Sequence, residues 1–119
     1  MSTQNIASRL VELCRQGQFE TAQAELFAKD AISIEPYATP AFEKETKGLD
    51  AIHEKGEKWN KMVQEVHSLT VSEPLVVENA FAITIRMDIT MKERGHMDIK
   101  ELCVYQVKDG KIVSEQFFM

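Results

Sequence analysis

The sequence has no apolar run near the roughly 18 residues that a membrane-spanning helix needs. Its first residues, MSTQNIASRL, contain no apolar signal-peptide core. Cysteine is scarce: Cys14 and Cys103 are the only two, too few for a disulfide framework or a zinc site, and both fall in apolar patterns that predict buried free thiols. Basic charge is also in deficit. The formal net charge is −5, which excludes a dedicated nucleic-acid or anionic-membrane surface. There is no HExxH, no CxxC, no nucleophile elbow and no Gly-rich phosphate loop. His53, His67 and His96 have no metal-ligand spacing with a carboxylate, so no metal is expected. These absences predict a cytoplasmic protein with reduced thiols and no cofactor.

What remains is an ordinary globular balance, with 44% hydrophobic and 28% charged residues. A chain of 119 residues suits a single domain, 1–119, and buries roughly two-thirds of its unfolded surface. Ile6, Leu10, Leu13 and Cys14 recur at helical spacing over 3–16, with Ser2 or Thr3 as cap and Gly17 as stop. A second helix is predicted over 18–29 and a short strand over 31–35, stopped by Pro36. The loop 36–47 carries two prolines. A third helix, about 49–65, has the inward stripe Ile52, Gly56, Trp59, Val63 and Val66. Strands follow at 66–77 (bent or at an edge at Pro74), 81–91, 97–107 and 111–119. In the second of these Ile83, Ile85, Met87 and Ile89 face one way, and Thr84, Arg86 and Asp88 the other. The order α-α-β-α-β-β-β-β reads as an α+β fold with one curved antiparallel sheet.

The last two strands carry the chemistry. A type I turn with a G1 bulge at Lys108-Asp109-Gly110-Lys111 pairs Tyr105 with Val113, Cys103 with Glu115 and Glu101 with Phe117; a two-residue type I′ turn shifts the register by one. The bulged turn groups Glu101, Cys103, Tyr105, Val113, Glu115 and Phe117 on one face, and Leu102, Val104, Ile112 and Phe118 on the other. Glu101 and Glu115 then lie diagonally, about 7–8 Å apart at the backbone. Two carboxyls in a partly apolar cavity raise at least one pKa toward the range of a general acid or base, unless they reach water or a cation such as Lys61 or Arg86. Glu35 either faces that cavity or caps the loop after Pro36.

The segments GLDAIHEKGEKW, HS…EPLV, FAITIRMDITMK and ELCVYQVKDGKIVSEQFF resemble the nuclear transport factor 2-like superfamily, and its SnoaL-like bacterial branch in particular, over nearly the whole chain. The resemblance implies a cone-shaped sheet wrapped around a long helix, a pocket between the two, and a homodimer through the outer sheet face. It makes the face of Glu101 the concave one. The pocket would take a small, mostly hydrophobic molecule. Its catalytic contacts would be Glu35, Glu101, Glu115 and Tyr105, and its ligand-binding wall Trp59, Gly56, His67, Ile85, Met87, Cys103 and Phe117. The implied chemistry is cofactor-free proton transfer: isomerisation, cyclisation or dehydration. The alternative is a non-catalytic ligand-binding or dimerisation module. In ketosteroid isomerase-like members a carboxylate base precedes a proline, as Glu35 precedes Pro36. Their two oxyanion donors fall on Leu10, which has no donor, and Cys103, which donates weakly. The resemblance therefore covers that fold without that mechanism.

Overall fold

The computed structural model describes all 119 residues. Three helices, α1 (Thr3–Arg15), α2 (Phe19–Leu26) and α3 (Leu49–Met62), pack on one seven-stranded sheet. The strands are β1 (Phe27–Ile34), β2 (Glu45–Lys47), β3 (Val63–Val71), β4 (Leu75–Val77), β5 (Ala80–Met91), β6 (Gly95–Lys108) and β7 (Lys111–Phe118). Their order in the sheet is β2-β1-β7-β6-β5-β3, with β4 paired to β5 beyond the end of β3. All pairs are antiparallel except β1 with β7. This is the expected α+β architecture, with one strand added inside the proline-containing loop. No helix is long and apolar enough to cross a membrane.

The first helix follows its sequence signals. The Ser2 hydroxyl accepts from the Asn5 amide, and Gly17 takes φ +73 just beyond the last turn. Ile6, Leu10, Leu13 and Cys14 are all buried and meet Phe81, Ile83, Tyr105, Val107 and Ile112 of the sheet. The second helix is shorter than its periodicity suggests. It ends at Leu26, and Phe27 already belongs to β1, paired with Ile112. The third helix likewise gives way to β3 at Val63, where pairing with Met91 takes over. In both places sheet pairing overrides helical propensity. The predicted strand 66–77 is two strands on one edge, broken at Ser72–Pro74. There the Ser72 hydroxyl accepts from the Thr84 amide, and the Arg15 guanidinium donates to the Val71 carbonyl.

The β6–β7 hairpin corrects the expected turn. Asp109 and Gly110 both have positive φ (51° and 76°), as a type I′ turn requires, and Lys108 pairs with Lys111. This shifts the first pairs by one residue, so Ile112 turns inward opposite Val107 rather than outward. A bulge at Val113 then restores the parity. Tyr105 consequently lies opposite Glu115, and Cys103 opposite Phe117. The face assignment of Glu101, Cys103, Tyr105, Glu115 and Phe117 survives because the two one-residue shifts add to two, which preserves parity. Their partners do not survive: Glu101 lies four residues along β6 from the partner of Glu115, so the two are not diagonal neighbours.

Gly110→Ala should lower stability by about 1–2 kcal/mol, because only glycine adopts its left-handed conformation cheaply. Urea unfolding checks this; an unchanged midpoint would mean that the turn tolerates a different geometry.

Candidate functional site

The third helix is amphipathic but stands off the sheet. Of its inward stripe only Ile52 is fully buried; Gly56 and Trp59 look across a gap. That gap is a cavity of about 1050 Å³ between α3 and the concave sheet, with rim residues from α2. A side chain at Gly56 would meet nothing within 4 Å, so this glycine leaves room rather than permitting close packing. Trp59, Leu69, Ile85, Met87, Ile89, Met97, Ile99 and Phe117 form the apolar wall. Of the 32 lining residues 15 are hydrophobic, and the polar ones nearest the sheet gather on one side of the cavity.

The polar half is built on the parallel junction of β1 and β7, where Ser33 is paired with Glu115. Both are buried, at 0% and 5% exposure. The Ser33 hydroxyl donates to Glu115 Oε2 at 2.6 Å and accepts from the Lys55 ammonium at 2.5 Å. Lys55 also binds Glu35 Oε2 at 2.8 Å, and its Nζ stands 5.5 Å from the centre of the Phe117 ring. A continuous chain thus runs Glu35–Lys55–Ser33–Glu115 from α3 into the sheet. Burial raises the Glu115 pKa; the Ser33 hydrogen bond and the Lys55 charge oppose that shift, and the Glu35 charge adds to it.

Glu101 stands apart. It lines the cavity in the row of Ile99 and opposite Ile85, partly buried and without an ion-pair partner. Its one hydrogen bond is from the Cys103 thiol to Oε1, at 3.7 Å. Burial is the main cause that lifts its pKa to about 7, with the Glu35 and Glu115 charges adding; the Cys103 hydrogen bond and Lys55 pull it down. Tyr105 is 3% exposed, lines the cavity and stacks on Phe81, with ring centres 4.8 Å apart. Burial pushes its hydroxyl well above the ordinary range.

The structure gathers Glu35, Glu101, Glu115, Tyr105, Trp59, Gly56, Ile85, Met87 and Phe117 around this cavity. Two expected members lie elsewhere. His67 points to the outer face, where its ring bonds Thr90 at 2.7 Å, because a bulge between Val66 and Ser68 interrupts the alternation of β3. Cys103 is fully buried behind the wall, and the apolar surroundings with nearby carboxyls push its thiol far up. The cation expected at Lys61 or Arg86 is Lys55; Arg86 pairs with Asp98 on the outer face. Lys55 lies three residues after Ile52 and four before Trp59, so helical spacing alone places it inward. Ser33 alternates with Ala31 and Glu35 on β1, and its parity was likewise available from the sequence. No three His, Cys, Asp or Glu side chains gather closely enough to hold a metal ion.

A family model described as a SnoaL-like domain matches residues 1–119. A crystal structure from Mesorhizobium loti, of a protein named as a candidate SnoaL-like polyketide cyclase, is 32% identical. It superposes with a TM-score of 0.91, covering 100% of both chains. A candidate isomerase from Bacillus subtilis is 21% identical with a TM-score of 0.76, covering 98% of this chain and 88% of its own. TerC co-crystallised with polyporic acid is 13% identical with a TM-score of 0.77, covering 99% and 92%. The last two show likeness of fold alone. Among curated proteins none matches the chain.

The Glu101 pKa sets a stability gradient. The folded state holds this proton up to about pH 7, whereas an unfolded glutamate releases it near pH 4.3. The folded state therefore binds more protons between those values, and stability must fall as pH rises through that window. The full span is up to about 4 kcal/mol. Glu101→Gln should remove most of this slope and leave the variant more stable at alkaline pH; parallel slopes in chemical denaturation would contradict the burial of Glu101.

Proposed function

The chain belongs to the SnoaL-like domain family, and from that premise we propose that it binds a small molecule in the cavity and moves a proton on it without a cofactor. The observation that carries this reading is Glu101, a carboxyl in an apolar row, facing the cavity, with a pKa of about 7. A group poised there exchanges protons in both directions near neutrality, as an isomerase, cyclase or dehydratase needs. Glu115 and Glu35 are less available as bases: the first is buried against Ser33, the second is bound to Lys55. Tyr105 is the donor for developing negative charge on a substrate oxygen. The apolar wall from Trp59 to Ile99 suits the hydrophobic body of a ligand.

A second reading, a non-catalytic binding module, draws on Leu10 and Cys103. Both are buried and neither supplies a strong donor where ketosteroid isomerase-like proteins have one. Deuterium exchange separates the two. A hydrophobic enolisable ketone such as tetralone, incubated in heavy water with the protein, should lose its acidic C–H signal faster as pH rises through about 7. Glu101→Gln should slow the exchange by about 10²-fold or more. Exchange no faster than with free carboxylate buffer would favour the binding module.

We also propose a homodimer through the outer sheet face. Leu75, Val77, Leu102 and Phe118 lie on one stretch of that face, at 77%, 73%, 41% and 47% exposure, more apolar surface than an isolated sheet face normally leaves to water. Sedimentation should give a dimer for the natural chain and a folded monomer for Leu102→Glu; a natural monomer overturns this.

A further inference from the structure

The acceptors in the cavity outnumber its cations, and the imbalance identifies the ligand's polar end. Lys55 is the fixed cation of the inner cavity. It is already engaged by Glu35 at 2.8 Å and Ser33 at 2.5 Å. Against it stand three carboxyls, Glu35, Glu101 and Glu115. Glu101 has no cationic partner. Tyr105 is 97% removed from solvent and lines the same cavity, with the Cys103 thiol as the side-chain partner of its hydroxyl. The two polar groups on this wall, four residues apart on β6, thus share only the weak Cys103 thiol, and neither has a charged partner.

The geometry points to an apolar amine as the ligand: its ammonium pairs with Glu101, and its hydrocarbon part lies against Trp59, Met87 and Ile99. This rests on the cavity-binding half of the reading above, not on the proton transfer. An ammonium supplies the missing positive charge and donates hydrogen bonds, and the carboxylate oxygens and the Tyr105 oxygen accept them. The faces of Trp59 and Phe117 favour a cation near them. A carboxylate ligand meets the opposite situation, because the one ammonium is occupied and the surrounding carboxyls repel it. A neutral alcohol gains the wall but not the ion pair.

The groups facing Glu101 set the pH dependence. They are Glu35 at the end of β1, Lys55 on α3, Cys103 and Tyr105 on β6, and Glu115 on β7; Glu20 and His53 (α2 and α3) with Glu57 and Glu65 (α3 and β3) line the outer cavity. Burial holds the Glu101 carboxyl at a pKa of about 7, so it ionises near neutrality. Alkyl amines remain protonated well above that. Amine binding should therefore strengthen as Glu101 ionises.

Calorimetry with phenylbutylamine, phenylbutanol and phenylbutyrate tests this on the intact protein. The amine should bind tightest, and about tenfold tighter at about pH 8 than at about pH 6, following the ionised fraction of Glu101. Glu101→Gln should cost the amine about tenfold or more in affinity at the higher pH while leaving phenylbutanol unchanged. Unchanged alcohol binding also shows that the variant is folded. If the alcohol or the carboxylate binds as well as the amine, or if Glu101→Gln binds the amine as the natural chain does, the amine proposal is overturned and the cavity-binding reading stands. If none of the three binds, both fall.

Discussion

A lysine holds the long helix to the sheet. The third helix presents a wide apolar stripe, yet only Ile52 makes full contact with the core. Leu49, Trp59 and Met62 pack partly buried against the apolar clusters, and between them the Lys55 ammonium is bonded at once to Ser33 in the sheet and Glu35 at its edge. This link depends on the parallel pairing of β1 with β7, which sets Ser33 beside Glu115. Removing either partner would leave a buried carboxyl or ammonium without compensation, which costs more than the bond itself contributes. A helix packed at its two ends and joined midway by a polar strut can stand away from the sheet between them. The cavity is the space that results.

The same low-polarity environment gives the carboxyls different roles. Glu115 is served by a hydroxyl and Glu35 by an ammonium, so each has a structural duty. Glu101 has neither and is surrounded by Ile85, Ile99 and Cys103. It is the group whose charge state is left for a ligand to decide. Proton transfer and amine recognition are two consequences of this one placement: the first uses the proton on Glu101, the second its charge once that proton is gone.

Much of the fold was legible in the sequence because its apolar periodicities are long and clean. The stripe of α1 and the alternation of β5 each specify one buried face, and both faces are buried as read. The wall of Glu101, Tyr105, Glu115 and Phe117 was legible as well, since parity along a strand survives errors in register that come in pairs. The partners across the hairpin were not. Asp109-Gly110 suits either turn, and the bulge at Val113 is a compromise between the turn and the core. His67 was misplaced by another bulge that leaves no compositional trace. Lys55 and Ser33 were overlooked for a different reason. Polar side chains on an inward face are discounted by any reading that follows apolar residues, although their spacing alone puts them there.

The ionisation of Glu101 is the quantity on which the whole account turns. Carboxyl-carbon NMR of the natural chain, assigned by comparison with Glu101→Gln, measures it directly. A Glu101 resonance that titrates near pH 7 is the expected result. A resonance that titrates near the ordinary glutamate value of about 4.3 would contradict it, because Glu101 would then be a solvated carboxylate at the cavity mouth.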